Sequence, residues 1–336
     1  MGPTLLLDKS AFQALTSSEM HKITKYFDWN RVVILYFEIL GDYSKKAKTA
    51  SFRNEVSILA DKVSVIDSYQ NEYHGTLCVA NLLGDVVKID GRPIVAPTTI
   101  RTLDDGQIAA LTDETSFCEM IYRWQRGDFK KVDEYLANLW KNIKDNSKAD
   151  LQCLTSNHII IPKSTSIDEL RVEIDKLLQN PNIQSVFLNI FLSYLDVDST
   201  TKYAIKNRLK QCPYSLQKVA PYAFYCLRAF ALFLGANKFN LITRRPTDRI
   251  DLEYLFYLPF CHVFSSNDKL HKKLSPILMR KDQVFLSGDD LKRGIQEIET
   301  LPKHTEFMNT ICAPIPPMPK ESIIRDVWIK TKWLYD

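Results

Sequence analysis

The stretch "VVILYFEIL", residues 32–40, carries eight apolar side chains and one glutamate, Glu38. An unpaired charge buried in such a run costs several kcal/mol, so the fold has to bring Glu38 a partner. The segment "DRIDLEYLFYLPF", residues 248–260, poses the same problem. On a helical wheel Leu255 and Leu258 fall within about 40° of Asp251, and Tyr254 within about 60°. Asp251 therefore shares the core-facing stripe, whereas Glu253 and Arg249 point to the far side, expected to face solvent. Asp248 falls on the same side as Asp251, and it or Thr247 is expected to cap the helix.

Two further aspartates close short apolar strands. "TLLLD" ends on Asp8, with the polar pair Lys9 and Ser10 opening a helix. "CHVFSSND" ends on Asn267 and Asp268, after Pro259 has stopped the preceding helix. Each aspartate alone reads equally as a helix cap or a turn residue. In an open α/β sheet, however, the carboxyl ends of strands are where ligands bind.

The order of elements around these acids is β-α-β-α-α over the first sixty-odd residues, the opening of a parallel sheet. A mostly helical stretch follows, although "TLCVANLLGDVVKIDGRPIVAP" reads as strand-like. An apolar helix, "VAPYAFYCLRAFALFLGANKF", then precedes the acid-bearing segment. We expect an α/β core built from residues 1–68 and 218–301, a mostly helical insertion at 69–217, and an extension at 302–336 that packs across the body.

Composition narrows the classes. Of 336 residues 45% are hydrophobic and 25% charged, as in soluble globular proteins, and the net charge of +4 permits a nucleic-acid partner without demanding one. The seven cysteines form no CxxC pair and the six histidines have no zinc-ligand spacing, so free thiols in a reducing cytoplasm are expected. No run suits a signal peptide or a membrane span, so no membrane partner is expected. "DVDST", residues 196–200, resembles the nucleophile loop of haloacid-dehalogenase-type phosphotransferases, but its preceding run is spaced as a helix, not the required strand.

Taken together, the acids call for a cation. Two unit charges about 4 Å apart repel by roughly 4 kcal/mol at an effective dielectric near 20. Four carboxylates, Asp8, Glu38, Asp251 and Asp268, meeting above one sheet edge would need a divalent ion, and oxygen-only ligands select Mg²⁺ or Mn²⁺.

Strand–Asp, helix–Glu, helix–Asp and strand–Asn-Asp, in that order, resembles the PIN-domain nucleases. "LLLDKSAFQAL" is similar to that family's opening strand and helix, "ILYFEILGD" to its glutamate helix, and "DLEYLFYLPFCHVFSSNDKLH" to its helix–strand–Asn-Asp segment. The likeness covers roughly residues 4–66 and 222–301. It implies a PIN-like doubly wound parallel sheet, with Asp8, Glu38, Asp251 and Asp268 as metal ligands and catalytic groups. Ser10, Asn267 and Asp248 would support them. The implied activity is a Mg²⁺- or Mn²⁺-dependent endoribonuclease that leaves a 5′-phosphate and a 3′-hydroxyl, with RNA expected over DNA. A toxin or defence effector is one setting for it.

Lys9 stands where the family has a small residue and is expected to contact phosphate. So are Arg244, Arg245, Lys269, His271, Lys272 and Lys273, with Arg280 and Lys281 beyond them; a solvated basic surface is the plainer alternative. The insertion, outside the likeness, is where an inhibitory or regulatory protein partner is expected. The rival function is a catalytically degenerate PIN-like core serving as an RNA-binding or protein-interaction scaffold.

Overall fold

The computed structural model describes residues 2–43, 54–63, 68–95, 98–102, 108–112, 114–145, 160–243, 245, 247–299, 308–309 and 314–334. Strand β1 (Thr4–Leu7) is buried along its whole length and lies between two parallel neighbours. These are β2 (Asp28–Arg31), with Leu5 opposite Trp29, and β6 (Val263–Ser265), with Leu5 opposite Val263. The sheet continues outward to β3 (Ser68–Gln70) and to β7 (Val284–Leu286), giving the all-parallel order β3-β2-β1-β6-β7. The apolar run of β1, Leu5–Leu7, is continuous because helices cover both faces of a parallel sheet. Residues 98–102 (β4) and 108–112 (β5) form a separate antiparallel hairpin.

The strand order reverses between β1 and β6, since the first half of the chain builds to one side of β1 and the later half to the other. Such a switch point opens a crevice at the carboxyl ends of the two strands. Asp8 directly follows β1, and Ser266, Asn267 and Asp268 directly follow β6.

Helices Lys9–Ala14 and Ser17–Tyr26 cross from β1 to β2, and helix Val33–Leu40 follows β2. Phe12 stacks on Trp29 with centroids 5.6 Å apart, locking the first crossover to the sheet. Helix Lys269–Leu278 joins β6 to β7 and helix Gly288–Glu299 follows β7. The last helix, Ile323–Lys330, packs on Gly288–Glu299.

The central helix Pro221–Lys238 is buried on nearly every face. Helices His74–Leu83 and Ile167–Gln179 of the middle segment pack against it. Gly235 is required at one crossing: a Cβ there would come within 2.7 Å of Leu170 Cδ1. Asn81 Oδ1 accepts from the amides of Tyr222 and Ala223, at 3.1 and 3.2 Å, and so satisfies the amino end of that helix. A single hydrophobic core therefore runs through the sheet and the middle segment.

The strand-like reading of "TLCVANLL" is corrected by the structure. These residues lie in helix His74–Leu83, which stops at Gly84 with φ of 123°. His74, Leu77, Cys78, Asn81 and Leu82 form its buried side, a helical stripe that the apolar content of the segment concealed. Asp198 accepts from Thr201 N at 2.9 Å as the cap of helix Ser199–Gln211, and helix Pro181–Tyr194 precedes it. The "DVDST" segment is thus a helix-to-helix turn and not a phosphotransferase loop. Among the described residues Cys78, Cys212, Cys226 and Cys261 are free, and no helix is long and apolar enough to cross a membrane. Cys153 and Cys312 lie outside the described residues.

Candidate active site

Asp8 caps helix Lys9–Ala14 through Oδ1, which accepts from Ala11 N at 2.8 Å. Ser10 Oγ donates to Asp8 at 2.8 Å, and accepts from Asn267 N at 2.9 Å. Ser266 Oγ donates to Asp8 Oδ2 at 2.5 Å, accepts from Asp268 N at 2.9 Å, and lies 2.8 Å from His271 Nδ1. The ends of β1 and β6 are thus joined by two hydroxyls, Ser10 and Ser266.

His271 is fully buried inside this arrangement. Its Nδ1 is 3.2 Å from Asp8 Oδ2, and its Nε2 donates to the carbonyl of Asp251 at 2.7 Å. Burial pushes the imidazole down, but the hydrogen bond and charge of Asp8, with the charge of Asp251, carry its pKa up to about 9. The expectation that His271 contacts substrate phosphate is therefore corrected: the side chain is an internal cation between two acid-bearing segments.

Glu38 accepts from the Tyr254 hydroxyl at 2.7 Å. Its helix is also tied to the start of helix Lys9–Ala14, because Lys9 Nζ donates to the Glu38 carbonyl at 2.7 Å and pairs with Asp42 at 2.7 Å. Lys9 is thereby engaged internally, which corrects its expected role as a phosphate contact. Burial pushes Glu38 up to about 7, against the charge of Lys9 and the Tyr254 hydrogen bond, with the charge of Asp8 adding to the rise.

Asp251 and Asp268 meet across Arg245. Its Nη2 donates to Asp268 at 2.8 Å and to Asp251 at 3.2 Å, while Nε and the backbone amide hold Asp248 at 3.1 and 2.8 Å. Burial first, then the charges of Asp268 and Glu38, raise Asp251 to about 8. Asp268 is also desolvated, yet Arg245, His271 and the Leu270 amide hold it below the usual carboxylate range. Asp268, nearer the guanidinium, is the ionised partner, and Asp251 keeps its proton at neutral pH. Asp248 is not the helix cap. Thr247 occupies that position without a side-chain bond, and the buried Asp248 carboxylate orients Arg245 instead.

The structure therefore brings Asp8, Glu38, Asp251 and Asp268 to one edge, linked through His271, Tyr254 and Arg245. Arg245, 40% exposed at its side chain, lies over the edge. A cavity of about 320 Å³ adjoins it, lined in part by Thr243, Arg245, Asn267, Asp268, Lys269 and Lys273. Lys269, Lys272 and Lys273 are exposed in the first turns of their helix. Arg280 and Lys281 lie just before β7, at the opposite end of the sheet, where Arg280 pairs with Asp282. Arg244 lies outside the described residues.

Among the described residues no three histidine, cysteine, aspartate or glutamate side chains are grouped to hold a metal ion. Arg245 spans the space between Asp251 and Asp268. The donor chemistry nevertheless suits a hard divalent cation, because all four acids offer oxygen. Sequence reasoning missed Tyr254, Ser266 and the bridging position of Arg245. Tyr254 carried a signal, lying within a helical turn of Asp251 on the same face.

Glu253 is not at a solvent face. Its carboxylate lies 3.1 Å from His74 Nε2 and accepts from the Tyr194 hydroxyl at 3.3 Å, so the middle segment covers the reverse side of the Asp251 helix.

The Ser266–Asp268 turn depends on Gly288, whose amide donates to Asn267 Oδ1 at 2.8 Å. A Cβ at Gly288 would meet Asn267 Nδ2 at 2.6 Å. Gly288→Ala is expected to push that amide aside at a cost of about 1 kcal/mol in folding stability, measured by urea denaturation. A variant as stable as the parent would show that this bond does not hold the turn.

Comparison of the chain with protein-family models, with curated proteins and with solved structures finds no match.

Proposed function

We propose that this protein is a PIN-like nuclease that hydrolyses single-stranded RNA with the help of Mg²⁺ or Mn²⁺. The observation that carries this reading is the convergence of four acids, from four separated segments, at the switch point of a parallel sheet. Asp8, Glu38, Asp251 and Asp268 would hold the cations, which when bound lower the pKa of a water and offset charge on the phosphate. The protein's own contribution is placement. Ser10 and Ser266 fix the Asp8 oxygens, Tyr254 fixes Glu38, and Lys9 ties the Glu38 helix to the start of the first crossover. Arg245 is exposed enough to turn from Asp251 and Asp268 toward an entering phosphate, with Lys269 and Lys273 along the adjoining cavity. Selection by strand form and backbone is expected.

The degenerate-scaffold reading has one observation in its favour, the guanidinium of Arg245 already bridging two of the acids. The decisive measurement is cleavage of a single-stranded RNA in Mg²⁺ or Mn²⁺. We expect cleavage that stops with EDTA and falls at least about 100-fold in Asp8→Asn. RNA that stays intact with every divalent cation, or is cut equally well by Asp8→Asn, would assign the scaffold role.

A further inference from the structure

We propose a second nucleic-acid site, remote from the acids, in the middle segment: a groove that anchors the backbone and bases of a single strand. It deepens the nuclease reading, but its test does not depend on cleavage.

Residues 199–220 contain five cations, Lys202, Lys206, Arg208, Lys210 and Lys218, and no carboxylate. This is a strong local bias in a chain whose acids and bases nearly balance. Arg208 is used internally, donating to the Leu82 carbonyl at 2.7 Å. Lys206 and Lys210 instead lie four residues apart on helix Ser199–Gln211, on its exposed side. Tyr203 shares that side at helical spacing and is 67% exposed. Past the helix end Tyr214 is 64% exposed, and the Lys218 ammonium stands over its ring, 6.0 Å from the centroid.

Lys206, Lys210 and Tyr214 line a cavity of about 920 Å³ between helices Ile167–Gln179, Pro181–Tyr194 and Ser199–Gln211, with Tyr203 and Lys218 close by in the sequence. Its lining includes the apolar Leu188, Leu192, Leu216 and Phe224, and among the described residues its charged lining residues are Lys206 and Lys210. A hollow lined in part by apolar side chains, an exposed ring and ammonium groups are what a single strand requires: stacking for the base, positive charge for the phosphates. Charge complementarity thus favours a nucleic acid over a neutral or basic protein. Helix Ile167–Gln179, which gives Leu178 and Gln179 to the groove, also packs against helix Lys269–Leu278 at the acidic edge. One rigid element therefore serves both sites.

The test is binding of a fluorescently labelled 20-nucleotide oligouridine to the full chain in EDTA, where no cation-dependent cleavage occurs. Lys206→Glu combined with Lys210→Glu, and separately Tyr214→Ala, should each raise Kd about 10-fold, and Tyr214→Phe should restore it. The double lysine variant should also lower the steepness of the salt dependence by about 1.4. These side chains are exposed, so folding should be unaffected. Unchanged Kd in both variants overturns the site. So does equal affinity for poly-glutamate with Tyr214→Ala silent, which would mark a dock for acidic proteins. Because this assay registers binding alone, it can succeed if the nuclease reading fails and fail if that reading holds.

Discussion

Raising the pH from about 5 to about 9 is expected to lower the melting temperature of the cation-free protein, by on the order of 5 °C. The direction follows from three groups. Asp251, raised to about 8, and Glu38, raised to about 7, bind a proton in the folded state that the unfolded chain has released. A group whose folded pKa is raised contributes stability fully present below its unfolded pKa and lost as pH rises through the folded one. For these two acids the window runs from about pH 4 to about pH 8. His271, raised to about 9, has the same sign, its contribution fading between about pH 6.5 and about pH 9. Asp268, with its lowered pKa, works in reverse, but its contribution is lost only as pH falls below the unfolded carboxylate value, outside this range.

Asp251→Asn resembles the protonated acid and should remove its part of the slope between about pH 4 and about pH 8, leaving the cation-free protein at neutral pH as stable as the parent or more so. Millimolar Mn²⁺ should raise the melting temperature of the parent most at high pH, where the acids are free of protons, and should raise that of Asp251→Asn far less. Differential scanning calorimetry across the pH series reads all of this. Strong destabilisation of the asparagine variant at pH 7 would mean that Asp251 is ionised and structurally paired with Arg245, contrary to the proton placed on it here.

Replacing Arg245 carries the second large effect. Its guanidinium touches Asp248, Asp251 and Asp268, so Arg245→Gln leaves three acids without their shared cation. The side chain is partly exposed, so solvent screening limits the loss of stability to about 2 kcal/mol in the cation-free state. Divalent-ion binding should move the other way. An entering cation must displace the guanidinium in the parent and need not in the variant, so Mn²⁺ affinity by isothermal titration should rise about tenfold. Removal of the phosphate-facing cation should at the same time raise KM for RNA. Mn²⁺ binding that is absent or unchanged in Arg245→Gln would indicate that these carboxylates do not share an ion, and the scaffold reading would stand.

Much of this site was legible from local rules. Asp8 and Asp268 follow short apolar strands, and Glu38 and Asp251 interrupt apolar helical faces; each is a pattern of a few residues that periodicity exposes. The parallel sheet was legible in the same way. What each polar group bonds to was not. Arg245 and Lys9 read as surface cations because their partners, Asp268 and Asp42, are brought in by the fold. His271 looked solvent-facing within "NDKLHKKL", yet it turns inward to Asp8, 263 residues away, and Tyr254 reaches Glu38 across 216 residues.

Glu253 lay on the polar side of its own helix, but no wheel records that His74 and Tyr194 from the middle segment cover that side. Sequence alone determined which positions had to hold acids against apolar packing, because burial pattern is a local property of the chain. The tertiary structure decided which acids keep protons and which cations answer them, because electrostatic partners are set by distance in space.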